Sequence, residues 1–504
     1  MKHPRAVRAA AVAGSLSLAA SLVTTAGAAT PIAPGGTPTS LPPFRGAAAT
    51  ANPIRGIPRT PQNPFMAPNG NNNVHNDAWM TDAYTRRGPL GRNPFTFSAT
   101  LDNHVCITLT FDSRGRLVAT CVSATAGPHL YMLNPSTLDV LADFSLPFRP
   151  PPAGIPVTTN TTGGAYFYLD NRNRAVMATT DRHIWIVEET GGSGAPGFRR
   201  VRDFNVGPLL APDERLPSAI PDFEGRLWFV GRQKGTVGAL DQRTGRGKAI
   251  RLNEEIENSF ATSPEGVYIA TDKAMYRFGL DRNGRPRVVW RVVYRNDHKQ
   301  KPGQFDAGTG TTPTVMPGGY VTITDNANPL NIVVYRTAST LKRGQKRVVC
   351  EVPIFGRNAS ADENSLIVAG RSIVAENNYG YDLGKTIGGA VTQPGMVRVD
   401  VRADGRGCRK VWTNRTERVP SVVSKLSLAT GLLHTFTKDP DPVNPTADAW
   451  FWTAVDFRTG RTVWKRLAGT GLGFNNHYAG IAIGPNGTEY VGGIGGLMAV
   501  RDSS

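Results

Sequence analysis

The strongest constraint on this chain is a β-unit that recurs along most of its length. From about residue 93 onward, short runs of Val, Ile, Leu, Phe and Tyr alternate with turns rich in Gly, Asp, Asn and Pro. Each unit reads as an inner strand, a turn such as Asp-Ser-Arg-Gly-Arg at 112–116, a second strand, a loop, a third strand ending in Asp or Asn, a tight turn and an outer strand. Copies begin near residues 104, 164, 217, 258, 311, 364, 424 and 477, a spacing of about 40 to 60 residues, which suits four-stranded blades with variable loops. Convincing amphipathic helices are absent. So many short strands overfill one sandwich but fit a closed ring of small sheets. The expected fold is therefore all-β, a β-propeller of eight four-stranded blades. Seven blades is the alternative, because the second copy is faint. The last copy supplies three strands, within 478–483, 488–493 and 497–502, and the run 95–101 is placed to add the missing outer strand. That closure by an N-terminal strand removes an open sheet edge.

The chain divides into a leader at 1–28, a Pro/Gly/Asn-rich arm at 29–92 and the propeller at 93–504. Lys2, Arg5 and Arg8, the apolar run 9–23 and the small residues Ala26-Gly27-Ala28 form the pattern of a secretory signal. The apolar run is too short for a membrane anchor and is broken by Gly14, Ser15 and Ser17. No later segment is apolar enough to span a membrane, so the expected location is extracellular or cell-wall associated. The arm lacks apolar periodicity and reads as linker or draped chain, too polar to bury itself. Its end, 71–84, is different: His75, Asn76, Asp77, Trp79 and Asp82 mix polar groups with aromatics. That stretch is either a functional segment laid across or into the channel, or an ordered arm pinned by Trp79 and Tyr84.

Lys and Arg number 57 against 39 Asp and Glu, a formal net charge of +18. A basic exported protein is drawn to anionic cell-wall polymers or acidic glycans. The plainer reading is charge spread over a solvated surface. No block of like charges supports nucleic-acid binding, and the expected state is a monomer. Four cysteines in an exported chain favour disulfides. Cys106 and Cys121 flank the turn at 112–116 and can face each other across two strands, which leaves Cys350 with Cys408, although four cysteines allow three pairings. There is no CxxC, HxxxH or CxxCH, and no metal site is expected from such motifs.

The stretch Ala454-Val455-Asp456-Phe457-Arg458-Thr459-Gly460-Arg461-Thr462-Val463-Trp464 resembles the AxDxxTGxxxW repeat of quinoprotein-like propellers. Ala239, Leu240, Asp241, Thr244 and Gly245 repeat it, with Ala249 in place of the tryptophan. Other copies are degraded, as at Asn134, Thr137 and Ala142, or Asp404, Gly405 and Trp412. In this pattern Asp and Thr-Gly make the turn into the outer strand, and Trp packs between blades. The resemblance implies the fold. It also implies a quinone-dependent dehydrogenase that holds Ca²⁺ with Glu, Asn and Asp. Against the PQQ-dependent activity, adjacent cysteines and a haem motif are missing, and most copies lack the tryptophan.

Loops leading into inner strands and loops joining second to third strands share the face that surrounds the channel mouth. They carry Glu257-Asn258-Ser259 and its echo Glu363-Asn364-Ser365, then Asp325, Asn326, Asn377, Asn378, Lys425, Asn475, Asn476 and His477. Converging carboxylates, amides and one imidazole can hold a sugar, or a hard cation such as Ca²⁺ through oxygen ligands. Asn, Asp and Ser are also ordinary turn formers. The ligand-binding candidates are Asn258, Asp325, Asn326, Asn364, Asn377, Asn378, Asn475, Asn476, His75 and Asp77; the catalytic candidates are Glu363, His477 and Glu257. A site built from them is lopsided, on blades four to eight, with blades two and three bare. The leading reading is an exported propeller that binds a glycan or cell-envelope component at the channel mouth. The alternative is a glycan-processing lyase or hydrolase, with His477 or His75 as base or Glu257 and Glu363 as a carboxylate pair.

Overall fold

The computed structural model describes residues 29–503 except 102–103, 124–126, 150–161 and 193, so the leader lies outside the described residues. Eight antiparallel sheets follow one another in a ring. Blade 1 spans 105–145, blade 2 168–205, blade 3 218–251, blade 4 261–293, blade 5 314–353, blade 6 367–414 and blade 7 425–470. Blade 8 takes its three inner strands from 482–501 and its outer strand from Phe95–Thr100. Phe95 stands opposite Arg501 and Thr100 opposite Gly496, so the ring closes where the sequence pattern placed the closure. The faint second copy is a full blade. Its inner strand is only Tyr168–Leu169, too short to leave a clear alternation.

The repeat motif works as a seat. Trp412, on the outer strand of blade 6, lies on Gly460 in the turn of blade 7 and donates from Nε1 to the Phe457 carbonyl at 2.9 Å. A Cβ at Gly460 would stand 2.5 Å from the indole, and the backbone there has φ +71°. Trp464 of blade 7 sits on Gly91 in the same way. The Gly of Thr-Gly is thus needed by the preceding blade's tryptophan as well as by its own turn. Two disulfides add staples: Cys106–Cys121 between the first two strands of blade 1, and Cys350–Cys408 between the outer strands of blades 5 and 6.

The first part of the arm is draped over the ring: of residues 29–62 only Ile32 is buried. Phe44–Gly46 adds a strand to the outer edge of blade 7, and Ala83–Tyr84 adds a parallel one to its inner edge, making that sheet six-stranded. Between them the chain enters the centre of the ring. The backbone N–H groups of Thr262, Val315, Val368 and Leu426, on the inner strands of blades 4 to 7, donate to the carbonyls of Ala78, Trp79, Thr81 and Asp82, each at 2.9 Å. The stretch is polar yet buried, because its amides are satisfied locally. Asn63 donates to the Pro221 carbonyl, Asn72 to Ala67 and Asn73 to Asp77. Asn76, Met80 and Asp82 take left-handed backbone angles, φ 59°, 61° and 56°. Residues 71–84, set apart in the sequence from the linker-like stretch before them, are buried because inner-strand edges and local amides supply the partners that water would otherwise supply.

Candidate functional site

Between this plug and the loops leading into the inner strands lies a cavity of about 340 Å³. Val74 and His75 of the plug line it, and blades 1 and 2 give an apolar wall of Val105, Ile107, Val122 and Ala165. The facing wall is polar: Asn258 from blade 4, Glu363, Asn364 and Ser365 from blade 6, and His477 and Tyr478 from blade 8. Phe305 and Leu383 come from the longer loops around blades 5 and 6.

His75 is the most elaborately supported group. Its Nδ1 lies 3.2 Å from both oxygens of Asp82 and 2.8 Å from Ser365 Oγ. Ser365 also donates to Asp82, and the wholly buried Lys425 caps the same carboxylate. Lys425 Nζ donates as well to the Val74 carbonyl at 2.5 Å. Burial opposes the charge on Asp82, but Lys425 and His75 more than offset this and hold it below the usual carboxylate range. A carboxylate at Nδ1 places the proton on that nitrogen and leaves Nε2 as the basic edge. Nε2 is buried and has no partner among the described residues.

Glu363 belongs to a carboxyl cluster. Glu257, Glu363 and Asp306 are neighbours that act on one another electrostatically, and Arg232 Nη2 reaches Glu257 at 3.3 Å. The Phe305 N–H donates to Glu363 at 3.2 Å, and Gly310 leaves room for its other oxygen, which a Cβ there would approach to 2.3 Å. Burial first, then the neighbouring carboxyls, pushes Glu257 and Glu363 well above the ordinary range, and Asp306 rises to about 6. Burial thus favours the neutral form of Glu363. Its Oε2, Asn258 Nδ2 and Asn364 Oδ1 lack partners among the described residues.

His477 stands across the cavity, with Nδ1 at 2.9 Å from the Tyr381 hydroxyl and its N–H bonded to Asn475. His477 and Tyr478 both hold left-handed angles, φ 40° and 65°, a costly geometry that clusters at functional sites.

The other candidates position these groups or lie away from the wall. Asn378 Oδ1 accepts from the Glu363 N–H, and Asn475 Oδ1 accepts from the Tyr381 hydroxyl. Asn377 accepts from the Ala361 and Tyr379 N–H groups, and Asn476 accepts from Ser421. Asn326 donates to Asn296, Lys299 and Ala307, while Asp325 accepts from Asn331 and Ala327. Asp77 braces the plug through Thr81 and Trp79 and rises to about 7, chiefly by burial. The expected lopsidedness holds for the polar wall, but blade 2 is not bare: Tyr166 lines the cavity and donates to Asn258 at 2.9 Å. Tyr166, Asp306 and the apolar wall were missed; each reads in sequence as an ordinary strand or loop residue.

Among the described residues no group of three or more His, Cys, Asp or Glu side chains is arranged to hold a metal ion. The quinone implied by the repeat is a polycarboxylate. The cavity wall has no Arg or Lys and carries Glu363, so its donor set does not fit that cofactor.

No protein-family model matches the chain. It is 25% identical over 369 residues to an uncharacterized protein of Archaeoglobus fulgidus, covering 66% of this chain and 69% of that one. It superposes on the quinohemoprotein alcohol dehydrogenase of Comamonas testosteroni with a TM-score of 0.51 and 11% identity, over 89% of this chain and 82% of that one. A catalytically inactive virginiamycin B lyase from Staphylococcus aureus aligns with a TM-score of 0.40 and 10% identity, over 81% and 99%. At these identities the shared property is the propeller fold.

Proposed function

We propose that this exported propeller binds a small, uncharged, partly apolar molecule in its central cavity, and that His75 removes a proton from it in a lyase-type reaction. The observation that carries this reading is His75 on the cavity wall, held through Nδ1 by Asp82 and unpartnered at Nε2, in a cavity also lined by the buried Glu363 carboxyl, whose neutral form burial favours, and by the free amide of Asn258. His75 takes a proton from carbon next to a carbonyl. The C–H pair moves toward the carbonyl oxygen, to which the Glu363 O–H and the Asn258 N–H donate, and a group on the next carbon leaves with its bonding pair. A cavity of this volume takes a drug-sized molecule rather than a polymer, which narrows a glycan ligand to a single terminal unit. Two disulfides suit an oxidising extracellular compartment, and no helix among the described residues is long and apolar enough to cross a membrane.

The test is a thermal-shift screen with small lactones and the methyl esters of aryl uronides, followed by turnover assays. Hits are expected to vanish in Ala165→Phe, which fills the cavity. In His75→Gln, binding is expected to persist while turnover falls at least a hundredfold. Shifts that survive Ala165→Phe, or turnover unchanged in His75→Gln, refute the reading.

A further inference from the structure

We infer that the face opposite the cavity is a docking surface for a phosphate-bearing anionic polymer. In a four-stranded meander the first and third connections lie on one face of the ring, and the second connection and the link to the next blade lie on the other. Charge segregates between them. On the first face, the turns 242–246, 281–285, 337–347, 402–407 and 457–461 of five successive blades carry Arg and Lys in every case, with only Asp281 and Asp404 against them. On the cavity face, loop 252–260 carries three glutamates and no base, and loop 438–448 carries three aspartates against Lys438.

The turn chemistry explains the segregation. Asp241 accepts from the Arg243 and Thr244 N–H groups, Asp281 from Asn283 and Arg285, and Asp456 from Arg458 and Thr459. The carboxylates are occupied by backbone donors, while Arg243, Arg246, Arg282 and Arg285 extend into solvent. Spread over five blades, these cations match an extended polyanion better than one small ion. Arginine pairs with phosphate through two parallel hydrogen bonds. A bilayer is disfavoured because a membrane-binding face needs apolar anchors. The exposed Val293, Ile387, Val443 and Leu472 belong to the cavity side; the turn side carries Val288, next to the turn 281–285, and Phe95, which lies under Arg501 with 5.9 Å to the ring centroid. Docked in this way, the cavity mouth faces away from the polymer.

The experiment measures binding of the full chain to immobilised linear polyphosphate across a salt series. The quadruple variant Arg243→Gln, Arg246→Gln, Arg282→Gln and Arg285→Gln is compared with a charge-matched control on the cavity face, Arg295→Gln, Lys299→Gln, Arg357→Gln and Lys385→Gln. The turn-face variant is expected to bind at least tenfold more weakly, with the slope of log K against log salt smaller by about 3. The control is expected to bind like wild type. Equal loss in both variants, or no loss in the first, overturns the inference. Tighter binding to phosphatidylglycerol vesicles than to polyphosphate overturns the polymer assignment. Melting of each variant at the wild-type temperature ensures that loss of binding is not loss of fold.

Discussion

The two faces of the ring treat the same chemical group in opposite ways. On the cavity face, Glu257 and Glu363 are buried beside other carboxyls, which pushes both well above the ordinary carboxylate range. On the turn face, backbone N–H groups pull Asp241 and Asp281 below the ordinary carboxylate range. The difference follows from loop length. A two-to-five-residue turn leaves its Asp in reach of its own backbone and of water. A long loop folds over the channel, carries its acids inward and strips their solvent. A propeller thus separates a face of buried acids from a face of exposed cations without any change of blade architecture.

The comparison breaks most sharply at Lys425. Lys425→Met leaves Asp82 charged and wholly buried, and denaturant unfolding is expected to show a loss of about 4 kcal/mol. Loss below 1 kcal/mol would mean that the ion pair does not hold the plug. Next is Gly460→Ala on the turn face, where φ and the Trp412 ring both oppose a Cβ; about 2 kcal/mol should be lost in the same assay, and a neutral result would discard the seat mechanism. The pH response distinguishes the faces by sign. Burial raises Asp77 to about 7 and Glu376 to about 8, so the folded state keeps protons that the unfolded chain releases above about 4. Stability is therefore expected to fall as pH rises from about 4 through about 8, with melting several degrees lower at pH 8.5 than at 5.5. Glu376→Gln should reduce that difference. Asp241 and Asp281, shifted downward, contribute stability that is lost only as pH falls below about 4. The smallest effect is expected from Arg282→Gln, within about 0.5 kcal/mol by thermal melting, because an exposed turn arginine lies outside the packed structure.

Local chemistry explains what the sequence disclosed. Alternating strands and Asp and Gly turns depend on near neighbours, so blade number and the Cys106–Cys121 pair across one turn were legible; closure at 95–101 followed from a last copy one strand short, and Cys350–Cys408 from elimination. The cavity was legible only as a list of polar loop residues. Its organising contact joins His75 to Ser365 across 290 positions, and no periodicity reports such a pairing. Asn377, Asn378 and Asn475 resemble ligand-binding amides in sequence, yet their side chains complete the backbone bonding of the loops that present Glu363 and His477. Val105 and Ile107 belong to the apolar wall of the cavity and look like any strand residue.

The arm that threads the ring sets a timetable. Residues 78–84 emerge before every blade, yet four of their carbonyls await strands that appear some 180 to 340 positions later. The chain must keep its own axle unclaimed until blades 4 to 7 exist, then gather them around it in order. Such long-range closure makes folding slow. An N-terminal truncation that removes the axle is therefore expected to stall assembly as an open arc, even though every blade sequence is intact.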